Sequence, residues 1–213
     1  MRRNKLQMPA DRGRLGGVFG SLLVRRFTVR QPEMYRVIET VSAKQLTRLD
    51  KAALCDLAQT AMDLEFDGVD GDFLQAGGVG GGAAIVIAHA KRRSRVLAVH
   101  DLLNADGDAE ARVRRELAEH EADERSNVSL IVGPYRETLA TEGPLALVHL
   151  DCAEYEPMCI LLERLAGRLV PGGHLIVDDY LTQEECKRAV NDHFRGKKGF
   201  SLVRKTRLHV IKS

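Results

Sequence analysis

DGVDGDFLQAGGVGGGAAIVIAHA, residues 67–90, changes character twice within a short span. Turn residues at 67–71 give way to an apolar strand candidate at 72–76. The strand runs into Gly77, Gly78, Gly80, Gly81 and Gly82, and an apolar helix candidate follows. A strand that meets a helix across bare backbone suits a ligand-bearing parallel sheet. Glycine lets another group come close, and the start of the helix offers unpaired N–H groups at the carboxyl edge of the strands.

The same alternation continues outward. RVLAVHD (95–101), VSLIVG (128–133), LALVHLD (145–151) and HLIVDDY (174–180) read as strands, separated by helix-compatible stretches at 109–122, 157–168 and 183–194. That order predicts an α/β domain with an open parallel sheet. FSLVRK (200–205) and RLHVIKS (207–213) stand too close together for a helical crossover, so they predict an antiparallel hairpin. Upstream, Leu46, Leu49, Ala53, Leu57, Thr60 and Leu64 recur at helical spacing and predict one covering helix from Ser42 to Glu65. No internal repeat or composition break asks for a second folded domain.

The chain has 213 residues, 44% hydrophobic and 29% charged, enough apolar material for a closed core and unlike a disordered polyelectrolyte. Its net charge of +2 hides a division: residues 1–30 carry eight basic side chains against Asp11 alone, and the remainder is mildly acidic. Those first residues hold four glycines and no sustained period, and so read as a mobile arm, a solvated leader or lid. With little aromatic interleaving and no nucleic-acid module, they do not read as a nucleic-acid surface. Cys55, Cys152, Cys159 and Cys186 are scattered without a zinc-type spacing and read as reduced thiols. GGVFGSLLV (16–24) runs directly into Arg25 and Arg26 without a cleavage site, and no apolar run approaches the roughly 18 residues of a membrane span. No membrane association and a cytoplasmic location are the expectations.

The glycine loop admits more than one ligand. Gly78 to Ala83 fits the dinucleotide pattern G-x-G-x-x-A, and Asp101, at the end of the next strand, is placed to receive ribose hydroxyls, so NAD is a competing cofactor. A purely structural alternative makes the glycines a crowded turn and Asp101 a strand-ending cap. A Walker loop is the poorer reading, because no Gly-Lys-Ser or Gly-Lys-Thr completes it.

HLDCAEYE (149–156) ends one strand candidate and VDDYLTQEE (177–185) ends the next, so Asp151, Asp178 and Asp179 are expected at one sheet edge. Carboxylates are hard oxygen donors suited to magnesium, which lowers the pKa of a bound hydroxyl. Adjacent side chains on a strand diverge, so a turn must aim Asp178 and Asp179 together. The alternative is that one aspartate caps a helix and the other is solvated.

With these residues assembled, the chain resembles the macrocin O-methyltransferase family of magnesium-dependent class I methyltransferases over roughly 40–195. GDFLQAGGVGGG stands where that family reads GDFVE-x-G-x-x-x-GG, GPYRETL (133–139) resembles the segment before the catalytic strand, and LVPGGHLIVDDY follows HLDCAEYE at a spacing of 27 residues from Asp151 to Asp178. The resemblance implies a Rossmann-like, three-layer αβα sandwich with a mostly parallel seven-stranded sheet and an antiparallel C-terminal strand. The methyltransferase domain is expected over 39–213, behind the basic mobile arm and candidate lid of 1–38, in which Tyr35 either packs against the acceptor or serves as a hydrophobic anchor. S-adenosylmethionine would be held by Gln75, Gly77, Gly78, Gly81, Gly82 and Asp101, and Mg2+ by Asp151, Asp178 and Asp179. The implied activity is methyl transfer to a hydroxyl of a small natural-product intermediate, such as a sugar in antibiotic biosynthesis, by a homo-oligomer.

Two departures bear on the chemistry. Gln75 replaces the usual acid of the first strand, and LDCAEYE replaces LDxDLYE, so Ala153 stands where the family carries its proposed general base. Glu154 and His149 are the candidate replacements beside Asp151, and an amine acceptor would need less proton abstraction. LLNADGDAE, after the second strand, is short for a substrate-covering insertion. Two alternatives follow: an NAD-dependent oxidoreductase, for which no Ser/Tyr/Lys proton-transfer pattern is evident, and a divergent member that only binds.

Overall fold

The computed structural model describes residues 13–78, 80–101, 107–123, 126–139 and 143–213. Five strands run parallel: β1 (Asp72–Gly77), β2 (Leu97–Asp101), β3 (Val128–Val132), β4 (Leu145–Asp151) and β5 (Leu169–Val177). The expected hairpin is present as β6 (Phe200–Arg204) and β7 (Leu208–Lys212). β7 lies antiparallel between β5 and β6, giving one seven-stranded sheet in the order β3-β2-β1-β4-β5-β7-β6.

Side chains alternate across the strands and supply two cores. Phe73, Leu97, Val99, Leu147 and Ile176 face five helices: α1 (Gly13–Arg30), α2 (Pro32–Ala43), α3 (Lys51–Phe66), α4 (Gly82–Ala90) and α5 (Gly107–Glu119). Leu74, Ala98, Val148, Leu150, Leu175 and Val177 face the opposite layer, built from α6 (Tyr135–Thr138), α7 (Tyr155–Leu165) and α8 (Glu184–Phe194). The result is the three-layer αβα sandwich that the resemblance implies.

The amino-terminal segment departs from the expectation. Residues 1–12 lie outside the described residues, but 13–30 and 32–43 are helical. Phe27, Met34, Ile38 and Val41 fall at spacings of seven, four and three and are all buried in the first core. Each such side chain contributes about 2 kcal/mol on burial, which offsets the cost of ordering a glycine-containing stretch. Tyr35 is half-buried, with the Lys51 ammonium 5.6 Å from its ring centre.

The covering helix expected over 42–65 begins only at Lys51. Gln45 takes a left-handed conformation (φ 55°), and the Asp50 carboxylate accepts from the Ala53 N–H at 2.8 Å to start α3 afresh. The loop between α2 and α3 is therefore free to fold back over the sheet edge. The Pro171-Gly172-Gly173 turn, expected ahead of the fifth strand, lies within β5. Leu169 pairs with Leu145 and His174 with Leu147, so the extra residues form a bulge in which Gly172 takes a positive φ of 80°.

Buried polar groups tie the layers together. The Arg95 guanidinium lies over Phe73, its carbon 4.7 Å from the ring centre, binds Glu65 at the end of α3, and donates to the carbonyls of Gly71 and Val69. From the same helix, Asp56 accepts from the Thr206 hydroxyl and backbone N–H in the β6–β7 turn and lies 3.2 Å from His209 Nε2 on β7. Among the described residues, no helix is long and apolar enough to cross a membrane.

Candidate active site

The carboxyl ends of β1, β2, β4 and β5 meet at one edge, and the glycine loop shows why each residue type is needed there. Gly77, the last residue of β1, pairs with Asp151, the last of β4. Its φ is +82°, and a Cβ on it would lie 2.1 Å from the Asp151 carbonyl oxygen, so only glycine fits. A Cβ on Gly78 (φ +97°) would lie 3.1 Å from Gln75 Nε2 and 3.2 Å from the Asp151 carboxylate. Bare backbone, an amide and a carboxylate thus converge at the β1–β4 crevice. Gln75 is buried. Its Nε2 donates to the Gly77 carbonyl at 2.8 Å, and its Oε1 has no hydrogen-bond partner among the described residues. Such an orphaned acceptor beside a glycine cradle suits a ligand carrying N–H or O–H donors.

The remaining glycines serve another purpose. The Gly82 N–H donates to the Leu46 carbonyl at 2.9 Å, and that oxygen would lie 2.8 Å from a Cβ on Gly80 and 2.7 Å from one on Gly82. Gly81, left-handed at the start of α4, faces Val113 of α5. Of the glycines expected to hold the cofactor, the structure brings Gly77 and Gly78 to the crevice. It turns Gly81 and Gly82 toward protein, Gly81 against α5 and Gly82 against the α2–α3 loop. The same contact weakens the G-x-G-x-x-A alternative, since its second glycine, Gly80, admits a backbone carbonyl where a pyrophosphate would need to approach. Asp101 ends β2 beside the β1 terminus, with its carbonyl accepting from the Gly133 N–H at 3.0 Å.

On the β4–β5 side, β5 stops at Val177 and Asp178 turns into the helical region (φ −68°, ψ −51°), opening a short turn over Asp179–Leu181. This is the turn needed to bring both aspartates to the edge. Burial and the charge of Asp178 raise the pKa of both Asp151 and Asp179, while Arg48, in the α2–α3 loop, acts in the opposite direction on each. Asp178 is itself held on both oxygens. His149 Nε2 lies 3.0 Å from Oδ2, and Arg207 Nε lies 3.4 Å from Oδ1. Burial alone would depress the His149 pKa, but the charge and hydrogen bond of Asp178 raise it overall. Among the described residues, no three acidic, histidine or cysteine side chains are grouped to hold a metal ion.

The two candidate bases differ in access. His149 is 1% exposed and committed to Asp178, so it is placed to orient that carboxylate and not to meet an acceptor. Glu154 is exposed at the start of α7 and lines a cavity of about 540 Å³ with Tyr135, Tyr155, Glu156, Ile160 and Glu185. The Tyr155 ring is fixed by the Arg188 guanidinium 4.1 Å from its centre and by a 3.2 Å bond from its hydroxyl to Asp192. Sequence reasoning missed Arg207 and Arg48. Each is an ordinary charged residue in a loop, and only the folded chain carries it to the acidic edge.

Comparison with known proteins converges on one family. The model described as Macrocin-O-methyltransferase (TylF) matches residues 94–203. The 8-demethyl-8-(2,3-dimethoxy-alpha-L-rhamnosyl)-tetracenomycin-C 4'-O-methyltransferase of Streptomyces olivaceus is 33% identical over 187 residues, covering 73% of this chain and 68% of its own. The demethyldecarbamoylnovobiocin O-methyltransferase of Streptomyces niveus is 35% identical over 109 residues, covering 50% of this chain and 37% of its own. Among solved structures, the O-methyltransferase NovP superposes with a TM-score of 0.67 at 20% identity, over 93% of this chain and 99% of that one. CalS11, a TDP-rhamnose 3'-O-methyltransferase, does so with a TM-score of 0.61 at 18% identity, over 98% and 99%. At those identities the structures speak for the fold, and the sequence matches speak for descent: the chain belongs to the macrocin-O-methyltransferase family and is an S-adenosylmethionine-dependent methyltransferase.

Proposed function

We propose that this chain transfers the methyl group of S-adenosylmethionine to a hydroxyl of a small natural-product intermediate, with a sugar hydroxyl as the leading acceptor. The observation that carries the acceptor class is the 33% identity, over 73% of this chain, to an enzyme whose name places its methyl group on a sugar oxygen. The geometry supports the donor side. Gly77 and Gly78 leave backbone bare at the crevice, Gln75 offers an Oε1 unpaired among the described residues, and Asp101 stands at the neighbouring strand end, where ribose hydroxyls would be received.

When bound, the cofactor supplies an electrophilic methyl group on a sulfonium. What the chain must add is orientation of the acceptor oxygen and a place for its proton. Glu154 takes the proton in this scheme, from an acceptor lying against Tyr155 in the cavity at the start of α7. A carboxylate there compensates for Ala153 by a shift of one position along the turn before α7.

Magnesium, which the family resemblance implies, does not fit the acidic edge as arranged. Both oxygens of Asp178 already face cationic or hydrogen-bonding partners, and the three aspartates do not converge as a ligand set among the described residues. No step of the scheme uses a metal.

Calorimetry with S-adenosylmethionine, S-adenosylhomocysteine and NAD tests the donor assignment: the first two are expected to bind and NAD is not. Glu154→Gln is expected to leave S-adenosylhomocysteine affinity within about twofold while lowering kcat on a hydroxyl acceptor by 10²-fold or more. Unchanged turnover would remove Glu154 from the scheme.

A further inference from the structure

The disagreement between the acidic edge and a magnesium site has a structural source in the β6–β7 turn. Arg207 reaches from that turn to Asp178 Oδ1 at 3.4 Å. It also contacts Asp50 Oδ2 at 3.4 Å, ahead of α3, and donates to the Thr206 carbonyl at 3.0 Å. Its side chain is 22% exposed and that of Asp178 is 6% exposed, so the pair is largely withdrawn from water.

The turn that carries Arg207 is held in place. Thr206 binds Asp56 through both its hydroxyl and its backbone N–H, His209 approaches the same carboxylate, and the Lys205 N–H donates to the Arg207 carbonyl at 2.9 Å. Arg207 is thus aimed by a buried network, unlike a surface arginine that finds a carboxylate by chance. A permanent cation from the chain itself therefore faces the acidic edge at Asp178.

We propose that Arg207 is the resident cation of this site, a positioning residue that holds Asp178 where a divalent ion would otherwise be required, so that cofactor binding and methyl transfer proceed without added metal. The proposal rests on the methyltransferase reading above. A guanidinium at Asp178 Oδ1 fills one approach to that oxygen and repels a divalent ion, so removing the arginine should open a metal position that the wild-type chain blocks.

The test uses chelator-treated full-length protein, with Mn2+ as a paramagnetic probe read by electron paramagnetic resonance and S-adenosylhomocysteine binding read by calorimetry. Wild type is expected to leave Mn2+ free and to bind S-adenosylhomocysteine equally, within about twofold, with and without magnesium. Arg207→Gln is expected to gain at least tenfold in Mn2+ affinity, and Arg207→Lys, which keeps the charge, to behave as wild type. Circular dichroism melting identifies a variant that fails to fold, and the wild-type and lysine measurements then carry the decision. Stoichiometric Mn2+ binding by wild type, unchanged in Arg207→Gln, would overturn the proposal. Failure of S-adenosylhomocysteine to bind any of the proteins would instead sink the methyltransferase reading and leave the Mn2+ result to decide the role of Arg207.

Discussion

Replacing His100 with leucine should flatten the acid limb of the stability curve. The residue sits on β2 directly before Asp101, has no exposed surface, and has no hydrogen-bond partner on either ring nitrogen among the described residues. Burial, with a smaller contribution from the charge of Arg168, pushes its pKa down from 6.5 to about 4. A base with a folded pKa below its unfolded value binds its proton first in the unfolded chain. It therefore costs nothing above about pH 6.5 and destabilises progressively as pH falls toward 4. At about 1.4 kcal/mol per pH unit the full loss is about 3.5 kcal/mol, of which about 2.5 kcal/mol is reached by pH 4.5. Urea denaturation of wild type and His100→Leu at pH 7.5 and 4.5 isolates this contribution, because the other titrating groups are common to both proteins. The leucine chain should lose about 2.5 kcal/mol less over that interval. Curves that stay parallel within about 0.5 kcal/mol would show that the ring is solvated or bonded in solution, and would refute the assignment of a dry, neutral histidine.

Three further substitutions probe the frame around the site. Gly77→Ala must relieve both a positive φ and a Cβ placed 2.1 Å from the Asp151 carbonyl, so loss of S-adenosylhomocysteine binding and destabilisation by more than about 2 kcal/mol are expected by calorimetry and urea titration. Arg95→Met removes the guanidinium that binds Glu65 and two backbone carbonyls, with an expected cost of about 3 kcal/mol; a loss under about 1 kcal/mol would show that Arg92 alone satisfies Glu65. Asp56→Ala leaves Thr206 and His209 without their shared acceptor, a loss of about 2 kcal/mol by urea titration. If the turn is what aims Arg207, that variant should also acquire Mn2+ binding.

Local signals made the sheet legible. The glycine run after an apolar strand located β1 and α4, and the close pair of terminal strands predicted the antiparallel hairpin, because both depend on neighbouring residues. The helical segment over 13–43 was hidden by Pro32, which restarts the helix and splits the buried stripe of Phe27, Met34, Ile38 and Val41 across two elements. The break at Gln45 escaped notice because leucines at 46 and 49 keep the helical spacing without keeping the helix. At the site, the order of Asp151, Asp178 and Asp179 along the chain revealed a shared edge. What those aspartates touch there depends on Arg207, about thirty positions away, and on a hairpin anchored to α3. No spacing rule carries that information. The glycines were visible as a motif, but their division into crevice and packing positions follows from where the α2–α3 loop settles.

That loop constrains how the chain can diverge. The group that rests against Gly80 and Gly82 is the carbonyl of Leu46, a main-chain atom that every residue type possesses. The exposed side chains at 44, 45 and 48 can therefore change, and with them the charge and shape presented beside the acidic edge, while the Leu46 side chain stays in the core and the seat beneath the loop is preserved. The glycines have no such latitude, since any larger residue lifts the loop away. Variation in acceptor preference among close relatives is then expected to concentrate in this loop, while Gly80 and Gly82 remain fixed.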